Sequence, residues 1–162
     1  MGVFTGTATV GLVGGYTNSS VVEYSASQLV NVSLPVIFTN GTGLNQANVY
    51  VGAALPVLTG ATTTFDLYSG FEDAFGVLVT MTKLKGLILR NRSTTVGENL
   101  IIAGNFCSSS LGLSAHSMKP GSVLSFVDPT GFTVTNTTAD TITIQNLNAT
   151  TVIYDLVMWG VV

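Results

Sequence analysis

The sequence predicts an all-β fold, an antiparallel β-sandwich of jelly-roll type with a strand-rich N-terminal extension. Three observations support this prediction. β-Branched Val, Ile and Thr occur throughout, clusters of Gly, Asn and Thr interrupt them every ~8 to 12 residues, and no segment sustains a helical period. At 162 residues, we expect one β-sandwich domain over 1–162, with residues 1–37 as an extension or arm.

The first 60 residues contain four predicted strands. They are 3–10, 20–24, 29–38 and 47–55. Pro35 indicates a bend or an edge position in the third strand, because proline cannot donate to a ladder. The stretch TNGTGLNQ (39–46) is rich in residues that tolerate positive φ, so it is predicted to be a loop.

From residue 62 onward the pattern predicts about eight strands with connections of mixed length, which suits a jelly roll. These strands are 62–67, 77–81, 83–91, 99–104, 122–127, 131–136, 140–146 and 151–160. VDPTG (127–131) is predicted to be a turn, and SGFEDAFG (69–76) is the only plausible helical turn. The segment 105–121 is long enough to be a functional or contact loop.

The composition indicates a surface that is largely covered by assembly. Charged residues make up 8% of the chain and hydrophobic residues 46%, whereas an average soluble protein has about 25% charged residues. No apolar run reaches the ~18 residues of a membrane-spanning helix, so no membrane partner is predicted. The net charge of −3 argues against a nucleic-acid partner.

The sequence carries no recognisable catalytic, cofactor-binding or metal-binding motif, and none of these sites is predicted. Cys107 and His116 are the only cysteine and histidine, and they share one Ser-rich loop. A nucleophile and base pair needs a third group to orient it, and no signature supplies one. We interpret them as a small buried thiol and a surface or capping imidazole. The protein is predicted not to be an enzyme.

The last strand, TVIYDLVMWG (151–160), is apolar on both faces. Side chains alternate across a strand, so Val152, Tyr154, Leu156 and Met158 share one face, and Ile153, Asp155, Val157 and Trp159 share the other. A sandwich buries one of these faces. We predict that another copy covers the second face, with Ile153, Val157 and Trp159 as the subunit interface. The alternative, that loops or the first 60 residues cover it within the same chain, remains open.

Four of the five basic residues lie in KLKGLILRNR, at Lys83, Lys85, Arg90 and Arg92. One interpretation is a buried strand whose two ends reach solvent. The other is a contact with an acidic partner surface, in which these four residues are peripheral charged contacts of the interface.

Residues 38–160 resemble a group of small virion proteins of tailed bacteriophages. The shared pattern consists of strands and turns. It falls here on 40–43, 66–67, 73–76, 85–87, 120–121, 128–131, 139–146 and 154–160. Residues 1–37 lie outside the resemblance.

The resemblance implies a β-sandwich virion protein, made in the host cytoplasm and placed on the capsid surface as a decoration (cement) protein. Its implied partners are other copies of itself, in homotrimers or similar clusters, and the phage major capsid protein. The alternative is a tail or fibre-tip domain that binds host-surface glycans, for which Tyr68, Phe71, Glu72 and Asp73 offer aromatic rings beside carboxylates.

Overall fold

The computed structural model describes residues 3–18, 26–72 and 76–162, and these are almost entirely β-structure. The strands are β1 (Gly6–Asn18), β2 (Ala26–Asn40), β3 (Gln46–Ala47), β4 (Val49–Val57), β5 (Thr62–Asp66), β6 (Phe71–Glu72), β7 (Leu78–Val79), β8 (Lys83–Asn91), β9 (Leu100–Ala103), β10 (His116–Met118), β11 (Val123–Thr133), β12 (Thr141–Asn146) and β13 (Val152–Val161). The single helix in the described ranges is α1 (Asn105–Ser110). No helix there is both long enough and apolar enough to span a bilayer.

Eight of these strands form two four-stranded antiparallel sheets, which confirms the predicted sandwich. The first sheet has the order β11-β8-β13-β4, and the second has the order β10-β9-β12-β5. Renumbered one to eight along the chain, the strands run 6-3-8-1 in the first sheet and 5-4-7-2 in the second. This is the double Greek-key order of a jelly roll.

The core lies between the two sheets, and strand alternation builds it. In β13, Val152, Tyr154, Leu156 and Met158 are buried, as their shared face predicted. In β12, every second residue is buried against them. Two elements of the loop predicted at 105–121 also contribute: α1 buries Phe106 and Cys107, and β10 buries Met118.

Several strand boundaries differ from the predicted ones. Segment 47–55 falls largely in β4 and belongs to the sandwich, 77–81 shortens to β7, and the two segments predicted at 122–127 and 131–136 fall in one continuous strand, β11. The strand predicted at 20–24 lies outside the described residues. Of the predicted helical turn at 69–76, the described part is a turn leading into β6, with no helix.

The irregular part of β11 lies opposite an extra residue in β8. Trp159 and Gly160 of β13 oppose Gly86 and Leu84, so Lys85 is an extra residue, a β-bulge. On the other side of β8, Val127 pairs with Gly86 and Phe132 pairs with Leu84. The predicted turn at 127–131 is therefore a bulge within a continuing strand. Because one residue is skipped, Leu84, Leu87 and Leu89 can all lie in the core.

An N-terminal hairpin, called the arm here, consists of β1 and β2. Thirteen consecutive residue pairs join the two strands, from Gly6 with Phe38 to Asn18 with Ala26. The arm meets the sandwich at its base, where Thr39 and Asn40 pair in parallel with β3. The predicted extension, 1–37, therefore contains in its described part all of β1 and most of β2, and the hairpin continues to residue 40.

Gly86→Ala tests the close approach beneath Trp159. A Cβ at position 86 would lie 1.8 Å from Trp159 Cζ2, so the indole must move. We expect a loss of about 1–3 kcal/mol or more in the free energy of unfolding, because overpacking a rigid site forces backbone and ring shifts. Urea unfolding followed by the emission of the only tryptophan measures it.

Gly52→Ala on the adjacent β4 is the matched control. There the three atoms nearest to the new Cβ belong to the exposed Tyr50 ring, which can turn aside at the cost of its stacking on Phe4, so we expect a smaller loss. Equal stabilities for the two variants would contradict the proposed packing of Trp159 on Gly86.

Candidate functional site

The outer face of the first sheet is partly covered by the base of the arm. Phe38 packs edge-on against Trp159, with ring centroids 5.8 Å apart and an interplanar angle of 71°. Both residues are buried, at 1% and 4% exposure. The sandwich residues that the arm covers, called the arm seat here, are Ile88, Val127, Val157 and Trp159.

Local geometry fixes the arm on this seat. Thr39 N–H donates to Asn45 O at 3.0 Å and Gly41 N–H to Ala47 O at 3.2 Å, which ties the end of β2 to β3. Just before β1, Phe4 stacks on Tyr50 with ring centroids 6.1 Å apart. Phe4, Ala8 and Val36 pack around the seat as partly buried residues. Aromatic packing at the base therefore attaches the arm to the sandwich.

The structure separates the three predicted interface residues of β13. Trp159 is covered by the N-terminal arm of its own chain, which is the alternative that the sequence left open. Val157 is half-buried in the arm seat, whereas Ile153 is 48% exposed at the far end of the strand. Of the three, only Ile153 still presents an open side chain, and its contact with another copy stays a prediction.

The arm does not fill its seat completely. A cavity of about 140 Å³ remains between the arm and the sheet, lined mainly by Phe4, Gly6, Phe38, Tyr50, Ile88 and Trp159. Trp159 Nε1 is buried and has no hydrogen-bond partner among the described residues. An unpaired buried donor costs about 1–3 kcal/mol, so the seat carries a penalty that the aromatic contacts must exceed.

Lys85 is not a peripheral charge, and its prediction as a peripheral charged contact was wrong. Its side chain is buried, with 1% exposure. The bulge aims its ammonium at two loops, where Nζ donates to Gly43 O and to Pro129 O, each at 2.7 Å. Asn45 N–H also donates to Pro129 O, at 3.3 Å. Lys85 therefore joins the loop at 41–45 to the bulge at 128–131.

Burial changes the protonation equilibrium of this ammonium. Desolvation lowers the pKa of Lys85, the neighbouring Lys83 lowers it further, and Asp128 opposes both. The two carbonyl contacts compensate for part of the lost hydration.

The other three basic residues of KLKGLILRNR lie nearer to solvent than Lys85. Lys83 is half-buried, and Arg90 and Arg92 are exposed. Arg92 Nη1 lies 3.5 Å from Asp155 Oδ1, an ion pair on the outer face of the first sheet. Exposed pairs of this kind contribute about 0–1 kcal/mol. Arg90 and Arg92 thus remain available as peripheral contacts beside Ile153.

A shallow polar cleft of about 330 Å³ also adjoins Ile153. It is lined by Arg92, Ser93, Thr94, Thr95, Glu98, Thr151, Val152 and Ile153. Ser93 Oγ donates to Glu98 Oε2 at 2.5 Å, and Thr150 Oγ1 donates to Glu98 Oε1. These two bonds, first that from Ser93, hold the pKa of Glu98 below its usual value. The carboxylate is therefore ionised and already engaged by hydroxyl groups of its own chain.

The candidate nucleophile and base occupy different environments. Cys107 is fully buried on α1, and burial raises the pKa of its thiol to about 11. His116 is exposed on β10. At neutral pH the thiol is protonated and shielded, so it lacks the thiolate character that a nucleophile needs. In the described part of the chain, no three His, Cys, Asp or Glu residues are grouped so that they could hold a metal ion.

The segment considered for glycan binding is described only in part. Tyr68 is half-buried and packs against the core, and Glu72 is exposed. Phe71 begins β6, and Asp73 lies outside the described residues. Of the four residues, only Tyr68 and Glu72 have a described side-chain environment, and of these two only Glu72 is exposed.

Sequence reasoning missed Phe38, Gly86 and the role of Lys85. Gly86 had a usable signal, because a glycine inside an apolar strand often marks a close approach of another group. Phe38 was read as part of a strand, but its contact with Trp159 joins positions 121 residues apart. Nothing in the local pattern predicts that pairing.

Phe38→Ala should uncover Trp159. We expect the tryptophan emission to shift to the red and the attachment of the arm to weaken by about 3 kcal/mol or more, because a buried aromatic ring is removed. Ile37→Ala is the matched control, since Ile37 is adjacent and 64% exposed. Identical emission spectra for the two variants would show that the arm base does not cover the indole.

Lys85→Met should loosen the two loops that the ammonium joins. Gly43 O loses its charged donor and Pro129 O loses one of two donors. We expect a loss of about 1–3 kcal/mol in the free energy of unfolding and faster amide exchange at Asn45. Lys83→Met, a half-buried site on the same strand, is the control. An unchanged exchange rate at Asn45 in the Lys85 variant would refute the anchoring role.

Comparison of the chain with protein-family models, with curated proteins and with solved structures gives no match.

Proposed function

We propose that this chain is a non-enzymatic structural protein of a bacteriophage particle. It acts as a capsid decoration (cement) protein that bridges neighbouring subunits on the outer surface of the head. Its proposed partners are other copies of itself, in trimers or similar clusters, and the major capsid protein. The resemblance of residues 38–160 to virion proteins motivates this proposal, and the fold and the arm support it.

The arm is the observation that carries the proposal. A strand of 13 residues is roughly 40 Å long, yet the arm contacts its own sandwich near its base. Two large apolar side chains of β2 are open to solvent, Leu34 at 63% and Ile37 at 64% exposure. A two-stranded hairpin alone is marginally stable in water, so an arm of this length needs a further surface to lie on.

The arrangement of the two parts supports a bridging role. The sandwich has a closed core, and the arm leaves it from a fixed seat, so one part can rest on one subunit while the other reaches the next. A specific contact of the usual size buries ~800 Å² on each partner. Jelly rolls are common in capsid domains and also in lectins, so the fold agrees with this role without selecting it.

The proposal is tested on phage heads. Purified particles from a strain lacking this protein should lose their DNA at a lower temperature than complete particles, and added protein should restore the difference. In one variant, a two-residue Asn-Gly turn replaces residues 11–33. This variant keeps the base of the arm and lacks its distal part. We expect this variant to fold with native tryptophan emission and to give little or no restoration.

Val96→Ala, at an exposed position outside the arm, serves as a full-length control with an intact arm. Absence of the protein from purified heads, or immunogold labelling confined to tails, would overturn the proposal. Full restoration by the shortened variant would remove the arm from the mechanism.

A further inference from the structure

The outer edge of β1 is an open strand edge. In the described structure, β1 lies at the end of a sheet ordered β1-β2-β3, and it pairs only with β2. It has 13 residues, and among the long strands of the described chain only β2, which pairs with β3 at Thr39 and Asn40 alone, has an outer edge of similar length. An edge of this kind presents a row of unpaired backbone donors and acceptors to any strand that can approach it.

The register identifies which groups point outward. Thr39 N–H donates to Asn45 O, on the side of β2 away from β1. Because these directions alternate along a strand, the even-numbered residues of β2 bond to β1, and the pairs of Phe38 with Gly6 and Val36 with Ala8 are the hydrogen-bonded ones. The N–H and C=O groups of Thr7, Thr9 and Gly11 therefore point to the open edge.

The other strand edges carry protective features that β1 lacks. In the sandwich, β10 and β5 are only 3 and 5 residues long, β4 contains Pro56, and β11 contains Pro129 in its bulge. In the arm, β2 contains Pro35. This residue pairs with Thr9, and its backbone N atom points away from β1. Strand β1 contains no proline and no charged residue. Proteins blunt exposed edges with such residues, so an unprotected long edge indicates a partner strand.

The composition of the arm favours a second copy of the same chain. Neither β1 nor β2 contains an Asp, Glu, Lys, Arg or His residue, so the two strands have no charge with which to select an oppositely charged partner. An antiparallel edge is complementary to itself across a two-fold axis, because each strand offers the other the same donors and acceptors. Pairing two arms in this way gives a continuous four-stranded ribbon and removes both open β1 edges.

We infer that two copies of this chain associate by antiparallel pairing of their β1 strands, edge to edge. This names one partner of the arm and so refines the proposed function. It is tested in solution without phage particles. A protein that forms trimers or other clusters with freely exchanging β1 edge amides, and still stabilises heads, would overturn the inference and leave the proposed function standing.

The decisive variant is Thr9→Pro, which removes one outward N–H and places a ring on the open edge without removing a β1–β2 hydrogen bond. Ser33→Pro is the matched control, because position 33 of β2 also points its N–H away from the hairpin, one register step further out. We expect wild type and Ser33→Pro to sediment as dimers or larger species at micromolar concentration. Thr9→Pro should dissociate with a Kd raised about tenfold or more, since two-fold symmetry applies each change twice.

Amide exchange supplies a second readout that does not depend on proline. In the wild type, the amides of Thr7, Thr9 and Gly11 should be protected at high protein concentration and lose that protection on dilution. Thr9→Lys, which adds a charge to the edge strand, should lower the protection at high concentration, whereas Ser33→Lys should not. The inference is overturned if wild type sediments as a single chain, if Thr9→Pro associates as strongly as Ser33→Pro, or if these amides exchange freely at every concentration.

Discussion

One extra residue in β8 determines how the rest of this molecule is arranged. At Lys85 the strand carries a residue that β13 does not oppose. Leu84 and Leu87 both face the core as a result, and Gly86 faces outward beneath the indole of Trp159. The same step turns the ammonium of Lys85 toward two loops. Without the bulge, side chains would alternate strictly between the two faces of the sheet. Leu84 and Leu87 could not then both face the core, with Lys85 turned toward the loops and Gly86 toward Trp159.

The arm is held by a different kind of packing from that of the sandwich. Between the sheets, large apolar side chains are almost fully buried and interdigitate. Under the arm, a few aromatic rings meet edge to face or stacked, beside a cavity and an indole N–H that has no hydrogen-bond partner among the described residues. The first arrangement gives a stable body. The second attaches a long appendage at one end while leaving much of the exposed β1 edge open to other contacts.

The sandwich could be predicted from the sequence because strand alternation and turn residues are local signals. The buried row of β13 and the jelly-roll class depend on these signals alone. The arm seat could not be predicted, because it depends on Phe38 meeting Trp159 across 121 positions. The prediction for Lys85 was wrong for a related reason. Strict alternation of side chains along a strand predicts which face of the sheet each residue occupies. A bulge, which the sequence does not reveal, shifts that alternation by one residue.

The lack of ionised groups in both strands of the arm sets the conditions under which it can work. Dissolved salt weakens attractions between charges, and here there are none to weaken. Apolar packing strengthens when strongly hydrated salts are added, and it gains again on moderate warming from the cold. Contacts made by these two strands should therefore depend on the kind of salt and on temperature, and very little on the screening of charge.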